Sequence, residues 1–198
     1  MINSFKQREI KTSFQKFQDY SSDVLSSNFH DFNARFKIFI HHCESDEIMK
    51  IITSQLKEMN VHFQEWWEKG QKTGGSMVGS KRFDLPLDEG ERDALMYQLI
   101  LKFSTGEINL VQFCLDYFGE DHFDQMIHQF NRAILIPLIR SISHKLREIL
   151  EAIEEELPEK EDVPIAMLLV YQDHRVTVGS ENIFSGDSII GRGSRIEK

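Results

Sequence analysis

One amphipathic stretch, Asp121 to Leu157, most constrains what this chain can fold into. Its apolar residues recur at steps of three and four over roughly ten turns, the period of a helix with one buried face. These residues are Phe123, Met126, Ile127, Phe130, Ile134, Leu138, Ile142, Leu146, Ile149, Ile153 and Leu157. Such a helix is a rod of roughly 55 Å, whose richly apolar first half belongs inside a bundle. Pro137 predicts a kink there, because proline removes one backbone hydrogen bond and clashes with the preceding turn.

The residues before this stretch also follow helical spacing. We predict a peripheral helix over 3–27, a second over 28–43, a third from its cap at Ser45 to about Lys69, a fourth from Pro86 to Gly106 and a short one over 107–118. Residues 70–84 are rich in glycine and serine without either period, so we predict a loop. The predicted fold class is mainly α, a bundle of about five or six helices with a long kinked C-terminal helix.

The character of the chain changes after the long helix. Pro158 ends that helix, and residues 158–164 form a charged linker bounded by prolines. Ile165 to Tyr171 is short, apolar and partly β-branched, so we predict a strand. We therefore divide the chain into a helical bundle (1–157), a linker (158–164) and a short C-terminal β tail (165–198).

The tail repeats every six residues, at Val178, Phe184, Ile190 and Ile196, with glycines in between. One apolar residue and small turn formers per hexad are typical of a β-solenoid. These hexads make only about one coil, which cannot bury its own apolar side, because coils are stabilised by their neighbours. We predict that the tail stacks on copies of itself, on a partner's similar tail or on a following domain, and the alternative is a flexible glycine-rich terminus. The predicted interface residues are Val178, Ile183, Phe184, Ile189, Ile190 and Ile196.

The segment Phe184-Ser-Gly-Asp-Ser-Ile-Ile-Gly-Arg-Gly-Ser-Arg-Ile196 resembles the glycine-rich β tails of many prokaryotic conflict and signalling proteins. Those tails carry repeats of the type GGDFVGRD and often accompany STAND-type NTPases or other phage-defence effectors. The matching positions are Gly186, Asp187, Gly191 and Arg192, and the match breaks at Gly193, where the usual acidic residue is absent. The resemblance covers only the tail and implies an adaptor or assembly role in a bacterial defence system.

Composition narrows the classes of partner. The net charge of -9 argues against a protein that binds nucleic acid by neutralising phosphates. No apolar run is long enough for a membrane-spanning helix, and the N-terminal residues do not follow the pattern of a signal peptide. Cys43 and Cys114 lack a paired spacing, so we expect a reducing cytoplasm and no disulfide.

Few side chains form a recognisable ligand pattern. His41, His42 and Cys43 are adjacent on a helix and point about 100° apart, so we interpret the histidines as a solvated pair at a helix end. His62 and Glu65 have the i, i+3 spacing of carboxylate-bridged di-iron bundles, but a second such pair is missing. We therefore expect no metal and no cofactor.

Two adjacent tryptophans, Trp66 and Trp67, cannot both face one core, so we treat them as a possible partner face. The predicted function is that of a non-enzymatic assembly or adaptor protein in the cytoplasm, a subunit of a bacterial multi-protein complex. It would bind a protein partner, itself or both, and neither nucleic acid directly nor a membrane. The alternative is a metal- or nucleotide-binding sensor or enzyme, with residues 70–84 as a lid over His62, Glu65 and Lys81.

Overall fold

A computed structural model describes residues 4–72, 83–119, 121–157 and 162–172, and these are mainly helical, as predicted. The helices are α1 (Gln7–Leu25), α2 (Phe29–Ser45), α3 (Glu47–Glu58), α4 (Phe63–Lys72), α5 (Glu89–Thr105), α6 (Leu110–Phe118), α7 (Phe123–Phe130), α8 (Ile136–Glu156) and α9 (Ile165–Gln172). Two short strands, β1 (Ser4–Lys6) and β2 (Asp162–Pro164), pair antiparallel. The predicted solenoid-like residues, 178–196, lie outside the described residues.

The helices share one core that is rich in phenylalanine. Helix α1 packs against α2 and α8, and its Ile10 and Phe17 are fully buried, so the prediction that it is peripheral is wrong. Phe17 meets Phe39 of α2 with ring centroids 5.6 Å apart. Within the described ranges, no helix combines the length and the apolar character needed to cross a bilayer.

Helices α7 and α8 form the predicted long helix, joined by a π-helical turn at Asn131–Leu135. In this turn the Ile136 N–H donates to the carbonyl of Asn131, five residues back. The turn lies directly before Pro137, which has no N–H to donate to the preceding turn. A π-helical turn redistributes hydrogen bonds at such a place, so the irregularity that proline predicts takes the form of a wider turn.

The predicted single helix from Ser45 to Lys69 is wrong, because the chain breaks after α3. Helix α3 ends at Glu58, and Met59 is extended. His62, just before α4, has a φ of 49°, in the left-handed region. Its N–H is 3.3 Å from the side-chain oxygen of Asn60. Across the break, Met59, Val61 and Phe63 still pack against the core. The apolar residues therefore stay on the buried side although the helix is interrupted.

The N-cap of α3 is Asp46, whose carboxylate accepts hydrogen bonds from the backbone N–H groups of Ile48 (3.1 Å) and Met49 (3.0 Å). The predicted cap, Ser45, is instead the last residue of α2, and its hydroxyl donates to the carbonyl of His41. The cap is therefore one residue later than predicted. A carboxylate at this position also favours the positive end of the helix dipole.

The predicted strand over Ile165 to Tyr171 is wrong, because these residues belong to α9. A short apolar run fits a strand or a buried helix equally well, and here the packing decides. Helix α9 contacts α3 and α8, and Leu168 is fully buried. The strand lies earlier, within the predicted linker: Val163 of β2 is fully buried opposite Phe5 of β1.

Candidate functional site

Trp66 and Trp67 lie side by side in an aromatic surface that joins α4 to α6. The indole N–H of Trp66 donates to the carbonyl of Asp84 at 2.6 Å, and its ring meets Phe83 edge-on. Trp67 stacks on Phe113 of α6, with centroids 6.2 Å apart and planes 14° apart. Both tryptophans are half-buried and pack against the same core, contrary to the expectation that they could not. Their role as a partner face stays a prediction.

The residues of the alternative ligand site are only partly described. His62 Nδ1 lies 3.8 Å from Glu65 Oε1, and both side chains are largely exposed. Lys81 lies outside the described residues, as do residues 73–82 of the predicted lid as a whole. Residues 70–72, predicted to belong to this loop, are instead the last residues of α4. In the described part of the chain, no group of three or more His, Cys, Asp or Glu side chains is placed to hold a metal.

His42 is buried, so its interpretation as half of a solvated pair is wrong; His41 alone is exposed. The ring Nε2 of His42 lies 3.2 Å from the carbonyl of Ser13, and the ring of Tyr20 packs edge-on at 5.2 Å. Burial lowers the pKa of His42, and the hydrogen bond to the Ser13 carbonyl and the charge of Asp46 only partly oppose that effect. His42 therefore links α2 to α1 in its neutral form.

Both cysteines are free thiols inside the core. Burial raises the pKa of Cys43 strongly and raises that of Cys114 to about 12. A thiol must ionise to act as a nucleophile or a metal ligand, so both cysteines pack as apolar side chains at neutral pH.

A polar groove between α5 and α8 is the site that the sequence analysis missed. Its floor is Asp93 of α5, which is only 1% exposed. The Asp93 carboxylate accepts hydrogen bonds from the Ser141 hydroxyl and from Lys145 Nζ, the latter at 3.1 Å. A buried carboxylate is costly unless it is paired in this way, so the three side chains form one fixed unit.

Five further charged or titratable side chains line this groove: Glu89, Arg92, Arg140, His144 and Glu148. His144 Nδ1 lies 3.2 Å from Glu148 Oε1, one helical turn along α8. Arg92 and Arg140 also line the groove, and neither has an ion-pair partner among the residues that the structure describes. The groove thus combines a paired floor with two guanidinium groups that form no ion pair among the described residues.

Helix α9 occupies residues 165–172 of the predicted tail and packs on the helical body. Helix α9 leads directly into residues 173–198, and it is held by contacts with α3, α8 and β2. Residues 173–198 therefore directly follow a packed helix in the sequence, not the predicted linker.

Comparison of the chain with protein-family models, with curated proteins and with solved structures gave no match. The resemblance of the tail to those of prokaryotic defence proteins stays a prediction.

Proposed function

We propose that this protein is a non-enzymatic assembly protein, whose tail associates with copies of itself and whose helical body docks a protein partner. The observation that carries the proposal is the six-residue apolar period of residues 178–196, which is too short to bury its own apolar side chains. An isolated coil of this kind gains a core only when other coils stack on it.

The placement of α9 supports self-association through the tail. Leu168 is fully buried and α9 packs on α3 and α8, so every copy presents the start of its tail from the same place. A fixed starting point reduces the conformational freedom that is lost when tails associate. Once two copies join, further contacts between their tails form at a high effective concentration.

The aromatic surface of α4 supports docking of a protein partner. The rings of Trp66 and Trp67 are already held by Phe63, Phe83 and Phe113, so they would lose little rotamer freedom on binding. Tryptophan is also the residue type most enriched among interface residues that dominate binding energy. From the resemblance of the tail, we propose a bacterial defence complex as the setting.

The test of self-association compares the full chain with a chain that stops after Gln172, by size-exclusion chromatography with light scattering. The cut must follow α9, because a cut at Pro158 would remove Val163 and Leu168 from the core. We expect the full chain to be an oligomer and the shortened chain a monomer with unchanged helical circular dichroism. Equal subunit numbers for the two chains would refute the proposal.

A matched pair of variants separates the repeat from the mere length of the tail. Phe184→Ser with Ile190→Ser removes two residues of the six-residue period, and we expect it to yield monomers. Glu181→Ser with Arg195→Ser changes two polar residues of the same segment that lie outside the apolar period and outside the matching positions, and we expect the oligomer to persist. If the second pair dissociates the oligomer and the first does not, apolar stacking is not the cause.

A further inference from the structure

The groove between α5 and α8 has the features of an anion site. It is a solvent-open space of about 620 Å³ beside the first turns of α5 and the part of α8 that follows the π-helical turn. Cationic side chains reach it from both helices, Arg92 from α5 and Arg140 and Lys145 from α8. Three carboxylates line it as well, Glu89, Asp93 and Glu148, so its formal charges balance, whereas the chain as a whole carries a net charge of -9.

Two of the three carboxylates of the groove have partners of their own, whereas its arginines form no ion pair among the described residues. Asp93 is bonded to Lys145 and Ser141, and Glu148 lies 3.2 Å from His144. Glu89, the first residue of α5, is exposed at the rim. Each guanidinium keeps five N–H donors that no carboxylate of the described residues occupies.

The floor of the groove supplies a cation that is already fixed in place. Lys145 is held by Asp93, and its side chain is only 20% exposed. Among the described residues, Asp93 is the one acceptor bonded to its ammonium group, which has three N–H donors. Donors therefore remain for a ligand, and the ammonium has already lost its rotamer freedom before any ligand arrives.

We propose that this groove binds a phosphate group, either free or as part of a phosphorylated small molecule. Two guanidinium forks and one ammonium, supplied by two helices, suit an anion with several acceptor oxygens pointing in different directions. Arg92 and Arg140 bind the outer oxygens, and Lys145 neutralises charge from below. A flat carboxylate, with only two oxygens, uses fewer of these donors.

The test is isothermal titration of the full chain with inorganic phosphate, pyrophosphate and ATP, in roughly 50 mM salt, where screening is weak. We expect saturable binding of at least one of the three. Arg92→Gln and Arg140→Gln should each weaken it by about tenfold. Arg147→Gln removes an exposed arginine of α8 that does not line the groove, and it should leave the affinity unchanged.

The three ligands distinguish the source of the phosphate. Binding of inorganic phosphate identifies a site for the phosphate group itself, whereas binding of ATP alone identifies a nucleotide site. Circular dichroism of each variant verifies that it is folded. The proposal is overturned if none of the three ligands saturates, or if the groove variants bind as tightly as Arg147→Gln.

Discussion

Asp93 is a carboxylate set in an apolar stretch of α5, and its neighbours Ala94, Leu95 and Met96 are also buried. Among the described residues, its bonds to Ser141 and Lys145 compensate for the loss of water around its charge. Removing one partner of such a pair leaves the other charge buried and unpaired, which costs more than the pair itself contributes. The α5–α8 contact therefore contains a buried charge that Lys145 balances.

We expect Lys145→Ala to lower the free energy of unfolding by about 3 kcal/mol. Lys11→Ala is the control, because Lys11 pairs with Glu154 at 2.7 Å on the surface, where both side chains are about half exposed. That loss should be about 1 kcal/mol or less. Urea denaturation of both variants measures the difference, and equal losses would show that Asp93 does not depend on Lys145.

His42 makes folding stability depend on pH. Its pKa in the folded protein lies below the ordinary 6.5, chiefly because it is buried, so the unfolded chain binds a proton more readily. Its contribution to stability is therefore complete above pH 6.5 and is lost as the pH falls from there toward the folded-state pKa. We expect His42→Gln to reduce the loss of stability that the natural chain shows below pH 6.5.

Urea titrations of both chains across this range measure that difference. The charges that act on His42 are Asp46 and Lys16, together with the neighbouring His41. Replacing His41, which is exposed, with Gln provides the matched control and should leave the contribution of His42 in place. Identical pH profiles for the natural chain and His42→Gln would contradict the prediction.

The start of α3 is determined by one cap residue. Asp46 accepts two backbone N–H groups and also the hydroxyl of Ser13 at 2.7 Å, so it joins α3 to α1. We expect Asp46→Ala to cost about 2 kcal/mol and Asp46→Asn, which still caps, to cost less. Ser45→Ala should cost only a few tenths of a kcal/mol, since its exposed hydroxyl does not cap α3. Thermal unfolding ranks the three variants, and a larger effect at Ser45 would reassign the cap.

Helix ends were predictable where glycine determines them. Gly106, the predicted end of α5, and Gly119, which directly follows the short helix predicted over 107–118, adopt positive φ values of 79° and 67°, which glycine tolerates without strain. The break between α3 and α4 was not predictable in this way. No glycine lies there: Met59 is extended, His62 takes the left-handed conformation, and the apolar period continues. The helical conformation of α9 was likewise settled by contacts with distant helices, which a short apolar run does not encode.

The groove shows why a site can escape sequence analysis. Ser141 and Lys145 have the i, i+4 spacing that places them on one face of α8, and that signal was available. Their partner Asp93 lies 48 and 52 positions away, so nothing local connects the three. One clue was the position of Asp93 at the start of the apolar run of α5, where a charged residue requires a partner.

At the scale of the whole molecule, β2 and α9 complete the helical body. A chain that stops after Leu157 loses the fully buried Val163 and Leu168 and the partner strand of β1. We expect it to lose about 3–6 kcal/mol of stability, since each buried side chain of this kind contributes about 1.5–3 kcal/mol. A chain that stops after Gln172 keeps these contacts and is the control. Equal urea midpoints for the two shortened chains would contradict this prediction.

The pairing of Phe5 with Val163 also bears on how the protein is made. A ribosome adds about 5–20 residues per second, so the first strand waits roughly 8 to 30 s for its partner to be synthesised. During that interval the phenyl ring of Phe5 and the apolar side of α1 lack part of their cover on the nascent polypeptide. A newly made chain therefore keeps this apolar surface open to aggregation and to chaperone binding until translation reaches β2.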